Sequence, residues 1–266
     1  MRVILVTLAA GFTATAAYGQ DSCSKFVGQS VTPLTFQQAI TKVPKVAPKG
    51  EFETTAQFES RRAAAGSPRE LIVAKEPEDR KYLEYNADTQ RLGIKSYAFK
   101  NRNFSAWDAF YGTPAYDQLE PSTMGNIQVV INFSEAAGGT YQATNGLGNK
   151  FMVSKLNRKV EAIFDRKPAR GSYSEGLFPV ADKDPYMVGY LDIPLADAPR
   201  AKSSLKLAYV VEPKEPYLVQ NSYKVGETTS VNGTDVTETA TVLIADIRCG
   251  LVTDAANRVL GAYETR

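Results

Sequence analysis

The chain has 266 residues and a formal net charge of +2, with two cysteines and no histidine. A charge so close to neutral argues against nucleic acid or an anionic membrane surface as a partner. The absence of histidine excludes Ser-His-Asp and Cys-His catalysis and histidine-based zinc sites. Any catalysis must therefore rely on carboxylates, lysine, tyrosine or a serine activated by lysine, and we expect neither a metal nor a cofactor.

Residues 1–19 have the layout of a secretory signal peptide. Arg2 precedes an apolar or small run from Val3 to Ala17, and cleavage is predicted after Gly19. No later stretch has the roughly 18 to 20 uninterrupted apolar residues of a spanning helix, so we expect no transmembrane anchor. The leader is bacterial in type, which predicts a periplasmic or secreted protein.

The next segment, residues 20–66, is predicted to be an extended lead-in with short helices. It is polar and is punctuated by Pro33, Pro44 and Pro48, and prolines interrupt regular structure. A β-rich domain is predicted to follow over residues 67–266.

One helix within the lead-in is predicted from its end signals. Thr54 and Gln57 have the spacing of a capping box, and Gly66 is a stop signal. Phe52 and Phe58 are expected to lay this helix against the sheet. Its charged residues suit the helix dipole, so we interpret the helix as scaffold, with anion binding by its two adjacent arginines as the alternative.

After residue 69 the hydrophobic period changes to two, which predicts half-buried antiparallel strands. Residues 82–99 are predicted to form a hairpin that pairs Leu83 with Ile94 and Tyr85 with Leu92. Three later strands are expected to turn the following residues towards the core: Ile127, Val129, Ile131 and Phe133; Leu205, Leu207, Tyr209 and Val211; Leu243, Ala245, Ile247, Cys249 and Leu251.

Further strands are expected at residues 150–156, 158–164, 187–193 and 258–264, and the last should pair with the strand that contains Cys249. The predicted class is α+β and β-rich, with a mainly antiparallel sheet and a few short helices near the N-terminus. The sheet is expected to form a sandwich or to be strongly curved.

Cys23 and Cys249 are the two cysteines of the chain. In an oxidising compartment a lone pair is most simply a disulfide. We therefore predict a bond that ties the mature N-terminus to a late strand. The alternative is a buried thiol at Cys249 and a solvated one at Cys23.

Residues 97–120 form the candidate ligand-binding segment, because they interleave aromatic rings with charged side chains. This mixture is typical of a saccharide or peptide groove, since flat apolar faces stack while polar groups orient the ligand. The candidate ligand-binding residues are Trp107, Tyr111, Tyr116, Arg102 and Asp108. The alternative is that the rings pack a long connection onto the sheet.

Our first functional hypothesis is an exported, non-catalytic, envelope-associated protein that binds an envelope saccharide or protein. The rival is a carboxylate-dependent hydrolase acting on an envelope polymer such as a glycan. Such an enzyme needs two acids on opposite sides of one bond, which Asp108, Asp117 and Glu120 could supply. A third possibility is a purely structural envelope component, and no catalytic residue is assigned.

Overall fold

The computed structural model describes residues 23–265, apart from 48, 67–68, 78, 101, 103, 120–126, 168–176, 180, 182, 185 and 226–232. The helices are α1 (Phe36–Ile40), α2 (Thr55–Ala64), α3 (Ser96–Phe99), α4 (Ala106–Phe110), α5 (Pro114–Leu119) and α6 (Ala198–Ser204). The strands are β1 (Leu71–Lys75), β2 (Leu83–Asn86), β3 (Arg91–Lys95), β4 (Gln128–Thr144), β5 (Lys150–Asp165), β6 (Met187–Asp192), β7 (Lys206–Val225), β8 (Thr234–Thr253) and β9 (Val259–Glu264). The predicted signal peptide, residues 1–19, lies outside the described residues.

The described strands form two sheets. The larger has the order β1-β7-β8-β5-β4, with β9 also paired to β8, and the smaller has the order β2-β3-β6. Pairing between the described strands is antiparallel except for β5 and β8, which run parallel. The prediction of a β-rich, mainly antiparallel fold with few helices is confirmed.

Two finer parts of that prediction, the sandwich and the N-terminal position of the helices, are not confirmed. A sandwich is not confirmed, because the larger sheet is mixed and open rather than regularly antiparallel. The helices are also not confined to the N-terminal region, since α3 to α6 lie between residues 96 and 204. Within the described ranges, no helix has the length and apolar character needed to cross a membrane.

One hydrophobic core lies between the two sheets and α1. It contains Leu92 and Ile94 from the small sheet, Tyr209 and Leu243 from the large sheet, and Phe36 from α1, all fully or almost fully buried. Burying an aliphatic or aromatic side chain of this size contributes about 1.5 to 3 kcal/mol. This shared core therefore holds the small sheet against residues 207–211 of β7 and 243–252 of β8 in the large sheet.

The opposite face of the large sheet is covered by two separate segments. Near one end, Phe26 packs with Val210 and the cysteines of the predicted disulfide. Cys23 and Cys249 lie at disulfide distance, with their Cα atoms 5.8 Å apart. Further along the same face, α4 inserts Phe110 into a cluster formed with β5, β7 and β8.

Several local predictions are confirmed. The hairpin of β2 and β3 pairs Leu83 with Ile94 and Tyr85 with Leu92. The Thr54 capping box begins α2 as expected, and β9 pairs with the strand that contains Cys249. The two strands predicted over 150–156 and 158–164 are one continuous strand, β5.

The predicted contact between α2 and the sheet through Phe52 is wrong. Phe52 is 94% exposed, and α2 has no buried residue. The Phe58 ring instead lies beneath the guanidinium groups of Arg61 and Arg62, with separations of 5.2 and 5.6 Å. Phe58 is therefore packed against charged side chains of its own helix rather than buried in the sheet.

Two β-bulges overturn the predicted alternation. In β4 the register shifts between Val130 and Asn132, so Phe133 packs beside Val130 rather than on the face of Val129. In β8 the register shifts at Arg248. The row predicted from Leu243 to Leu251 is therefore split there between the two faces of the sheet.

Beyond the second bulge, Cys249 and Leu251 join the cluster around Phe26. Leu243, Ala245 and Ile247 remain in the core between the sheets. An inserted residue moves every later side chain to the other face, which explains both corrections.

The distal end of the large sheet consists of residues 132–144 of β4, 150–159 of β5, 218–225 of β7 and 234–240 of β8. Its side chains are mostly exposed or half-buried, in contrast to those of the remaining sheet. Leu147, in the turn between β4 and β5, is 88% exposed. This end therefore extends beyond the two hydrophobic layers that cover the rest of the sheet.

Candidate functional site

The predicted ligand-binding segment folds into three short helices, two of which lie on the large sheet. Ser105 caps α4 by accepting a hydrogen bond from the backbone nitrogen of Asp108 at 3.3 Å. Gly112 adopts a positive φ of 74° in the turn that follows α4, a conformation that favours glycine. Pro114 then begins α5, a position where its missing N–H has no helical partner to lose.

Trp107, Tyr111 and Tyr116 come together on the outer side of α4 and α5, and we call them the aromatic cluster. The Trp107 and Tyr116 ring centroids are 4.9 Å apart, and those of Tyr111 and Tyr116 are 5.7 Å apart, both edge to face. Trp107 is 41% exposed and Tyr111 is 68% exposed. Three of the five predicted residues therefore form one surface that solvent reaches.

The helices beneath the aromatic cluster are firmly attached to the sheet. Phe110 is buried, and its ring meets Phe164 of β5 at a centroid distance of 5.2 Å. The Asn221 side chain of β7 donates hydrogen bonds to the carbonyl groups of Ala109, at 3.0 Å, and Tyr111, at 3.2 Å. The exposed rings are thus held on a fixed base rather than on a free loop.

Arg102 and Asp108, the other two predicted residues, have different surroundings. The Arg102 guanidinium lies 4.0 Å from the centroid of the Phe133 ring. Asp108 is exposed in the first turn of α4. Burial, a hydrogen bond to Glu238 and the nearby Asp108 charge together raise the pKa of the Tyr223 hydroxyl.

Other rings of the segment pack elsewhere. Phe99 is fully buried against Phe178, with centroids 4.7 Å apart. Tyr97 joins Tyr82 and Tyr186 in a second group, with centroid distances of 5.3 and 5.1 Å. The packing alternative therefore holds for Phe99, whereas the aromatic cluster remains on the surface.

The described carboxylates proposed for the hydrolase are not shielded from water. Asp108 and Asp117 are both exposed to solvent, whereas carboxylate catalysis needs one acid that is shielded from water. Glu120 lies outside the described residues.

An open groove of about 750 Å³ lies beside α5, and sequence reasoning missed it. Its walls are residues 40 and 43–47 of the lead-in, Phe58 and Arg62 of α2, residues 113–115 and 118 around α5, and residues 215–220 of β7. The one available signal was a pair of prolines, Pro213 and Pro216, within an otherwise alternating strand. Proline inside a strand marks a bulge or an edge, but it does not say what fills the space beside it.

The charged groups on one wall of this groove compensate one another. The Arg62 side chain donates two hydrogen bonds to the Glu215 carboxylate, one of them 3.0 Å from Nε to Oε1. Arg62 also donates to Glu59 at 2.8 Å, and the Tyr217 hydroxyl lies 3.5 Å from Glu215. The anion-binding alternative for Arg62 is therefore weakened, because two carboxylates already occupy its guanidinium.

A buried carboxylate at the end of β5 belongs to the scaffold. Asp165 is 2% exposed and accepts hydrogen bonds from the backbone nitrogens of Ile247, at 3.2 Å, and Lys167, at 3.3 Å. Burial raises the pKa of Asp165 to about 6, although the Lys167 charge opposes the shift. Burial likewise lowers the pKa of Lys167, whose Nζ donates to Thr265 at 2.7 Å.

Comparison with known proteins gives no precedent for this site, because no protein family, no curated protein and no solved structure matches the chain.

Proposed function

We propose that this is an exported, non-catalytic, envelope-associated binding protein, and that the aromatic cluster receives an envelope saccharide. The observation that carries the proposal is the exposure of Trp107 and Tyr111 on helices anchored to the sheet. Tryptophan and tyrosine combine a flat apolar face with a polar edge. Sugar rings offer the complementary combination of apolar faces and hydroxyl edges.

Polar groups beside the rings supply the second half of saccharide recognition. Asp108 of α4 and Asp117 of α5 are both exposed on the two helices that carry the aromatic cluster. A carboxylate accepts hydrogen bonds only, and each can accept several from hydroxyl groups. We therefore assign these two acids to ligand orientation rather than to bond cleavage.

Export is supported by two features. The N-terminal segment has signal-peptide layout, and Cys23 and Cys249 lie at disulfide distance. Disulfides persist in oxidising compartments such as the bacterial periplasm. An envelope location would place the aromatic cluster among glycan polymers.

The test uses Trp107 as an internal reporter. Fluorescence of the mature protein would be recorded during titration with peptidoglycan fragments, neutral oligosaccharides and envelope peptides. We expect a saturable shift with one saccharide class. Tyr111→Ala should weaken that binding about threefold to tenfold, because one aromatic contact contributes roughly 0.5 to 1.5 kcal/mol.

Tyr186→Ala is the matched control, since Tyr186 is a partly exposed tyrosine in the second ring group. It should leave the titration unchanged. An indifferent fluorescence with all three ligand classes would refute the proposal and make the aromatic cluster a packing feature. Turnover of a glycan that Asp117→Asn abolishes would establish the hydrolase instead.

A further inference from the structure

The groove beside α5 is a second concave feature, separate from the rings of the aromatic cluster. It exists because β7 leaves its partner: pairing with β8 is interrupted between Pro213 and Leu218. Tyr217, within the interruption, has a φ of 64°, which costs a non-glycine residue backbone energy and is retained where the surroundings enforce it. Residues 43–47 of the lead-in, which have no regular structure, cross opposite this bulge.

The lining of the groove is mainly apolar. Ile40, Val43 and Val46 of the lead-in face the space together with Phe58 of α2 and Leu218 of β7. A volume of about 750 Å³ falls within the roughly 300 to 1,000 Å³ range of small-molecule sites. Polar side chains such as Thr113, Gln118 and Gln220 also line the groove, but most of its surface is apolar, which suits an alkyl chain better than a saccharide.

The charged side chains on the two walls of the groove differ in whether they are paired. Arg62, on one wall, is already paired with the carboxylates of Glu215 and Glu59. Lys45, on the lead-in wall, is exposed, and no ion pair or hydrogen bond joins its side chain to any residue in the described ranges. An apolar trough with one uncompensated cation at its edge is complementary to an apolar chain that ends in an anion.

We infer that the groove binds a single-chain anionic amphiphile, a long-chain fatty carboxylate, with its alkyl chain along Val43, Phe58 and Leu218 and its carboxylate at Lys45. The inference does not rest on saccharide binding by the aromatic cluster. Each site can fail without the other, because their variants and ligands are different.

Calorimetric titration of the full mature protein with decanoate, dodecanoate and tetradecanoate, each below its micellar concentration, tests the apolar half. Affinity should rise about twofold to fourfold for each added methylene, since one buried methylene contributes about 0.8 kcal/mol. Phe58→Ala should weaken all three carboxylates. Because α2 has no buried residue, this substitution removes a groove wall without disturbing the core.

Dodecanol and Lys45→Gln test the charged half. Lys45→Gln should weaken dodecanoate binding about fivefold, as expected for a solvent-accessible ion pair, and should leave dodecanol binding unchanged. Lys42→Gln is the matched control, because Lys42 is an exposed lysine of the same segment that does not line the groove.

Three results would overturn the inference. The first is no heat of binding with any carboxylate of the series. The second is binding that neither Lys45→Gln nor Phe58→Ala changes. The third is binding to vesicles of anionic phospholipid without binding to the monomeric carboxylates, which would make this face a membrane contact. Retention of the far-ultraviolet circular dichroism spectrum by both variants keeps each result interpretable.

Discussion

The two ends of β7 and β8 differ in how they are stabilised. At the near end, most of residues 207–211 and 243–253 are buried, by the small sheet on one face and by the segment around Cys23 and α4 on the other. At the distal end, residues 218–225 and 234–240 are largely half-buried or exposed. The near end is thus scaffold, and both candidate sites lie beside the transition, where β7 loses its pairing with β8.

The largest effect should come from removing the link between Cys23 and Cys249 at the near end. The two residues are 226 positions apart, for which the chain-entropy argument gives an upper figure of about 5 kcal/mol. We expect Cys23→Ala combined with Cys249→Ala to lower the free energy of unfolding by about 4 kcal/mol in urea denaturation. Wild-type protein treated with dithiothreitol should match the variant, and insensitivity of the wild type to reductant would contradict the bond.

Alanine substitution at two glycines, Gly250 at the near end and Gly146 at the distal end, compares the packing of the two ends directly. A Cβ at Gly250 would lie 2.5 Å from the Phe178 ring and 2.8 Å from the Phe99 ring, and overpacking of this kind costs roughly 3 kcal/mol. Gly250→Ala should therefore lower the free energy of unfolding by about that amount. Thermal or urea unfolding measures it.

Gly146, in the turn at the distal end, is the control for Gly250. A Cβ there meets no atom within 4 Å, so Gly146→Ala should leave stability unchanged or raise it by up to about 1 kcal/mol. Equal changes in unfolding free energy for Gly250→Ala and Gly146→Ala would contradict the conclusion that the near end is more tightly packed than the distal end.

The last effect depends on pH and concerns Asp165. Burial raises its pKa from an ordinary 3.8 to about 6, so the folded state holds a proton that the unfolded state has released between about pH 4 and pH 6. The contribution of Asp165 to stability is therefore greatest below pH 4 and is lost as pH rises through 6. At about 1.4 kcal/mol per pKa unit, the loss is about 3 kcal/mol at most.

Asp165→Asn isolates this contribution, because its amide oxygen can still accept the backbone hydrogen bonds from Ile247 and Lys167. The difference in unfolding free energy between wild type and variant should shift in favour of the variant from pH 4 to pH 6.5. A difference that stays constant over this range would show that Asp165 does not titrate there.

Local rules predicted much of the fold. The Thr54 capping box, the register of Leu83 with Ile94 and the pairing of Cys23 with Cys249 follow from spacing, end signals or cysteine number. The predicted signal peptide and the boundary at residue 66 stay predictions. For the candidate site, the composition of residues 97–120 identified the three rings of the aromatic cluster but not which other rings would be buried.

The remaining features depend on contacts between distant residues. The bulge at Arg248 reversed the expected face of Cys249, because one inserted residue changes the parity of a strand. The parallel pairing of β5 with β8 has no local signal. The groove was invisible for the same reason, since its walls come from segments as far apart as Val43 and Leu218.

The central position of β8 has a consequence for how the chain acquires its structure. β8 contacts β5, β7 and β9, yet it follows seven of the other eight described strands, so the large sheet lacks its middle until residues 234–253 are present. Non-local pairing of this kind slows folding. A chain exported from its N-terminus would cross the membrane with its sheet still incomplete, and refolding from denaturant should be limited by the arrival of β8 between β5 and β7.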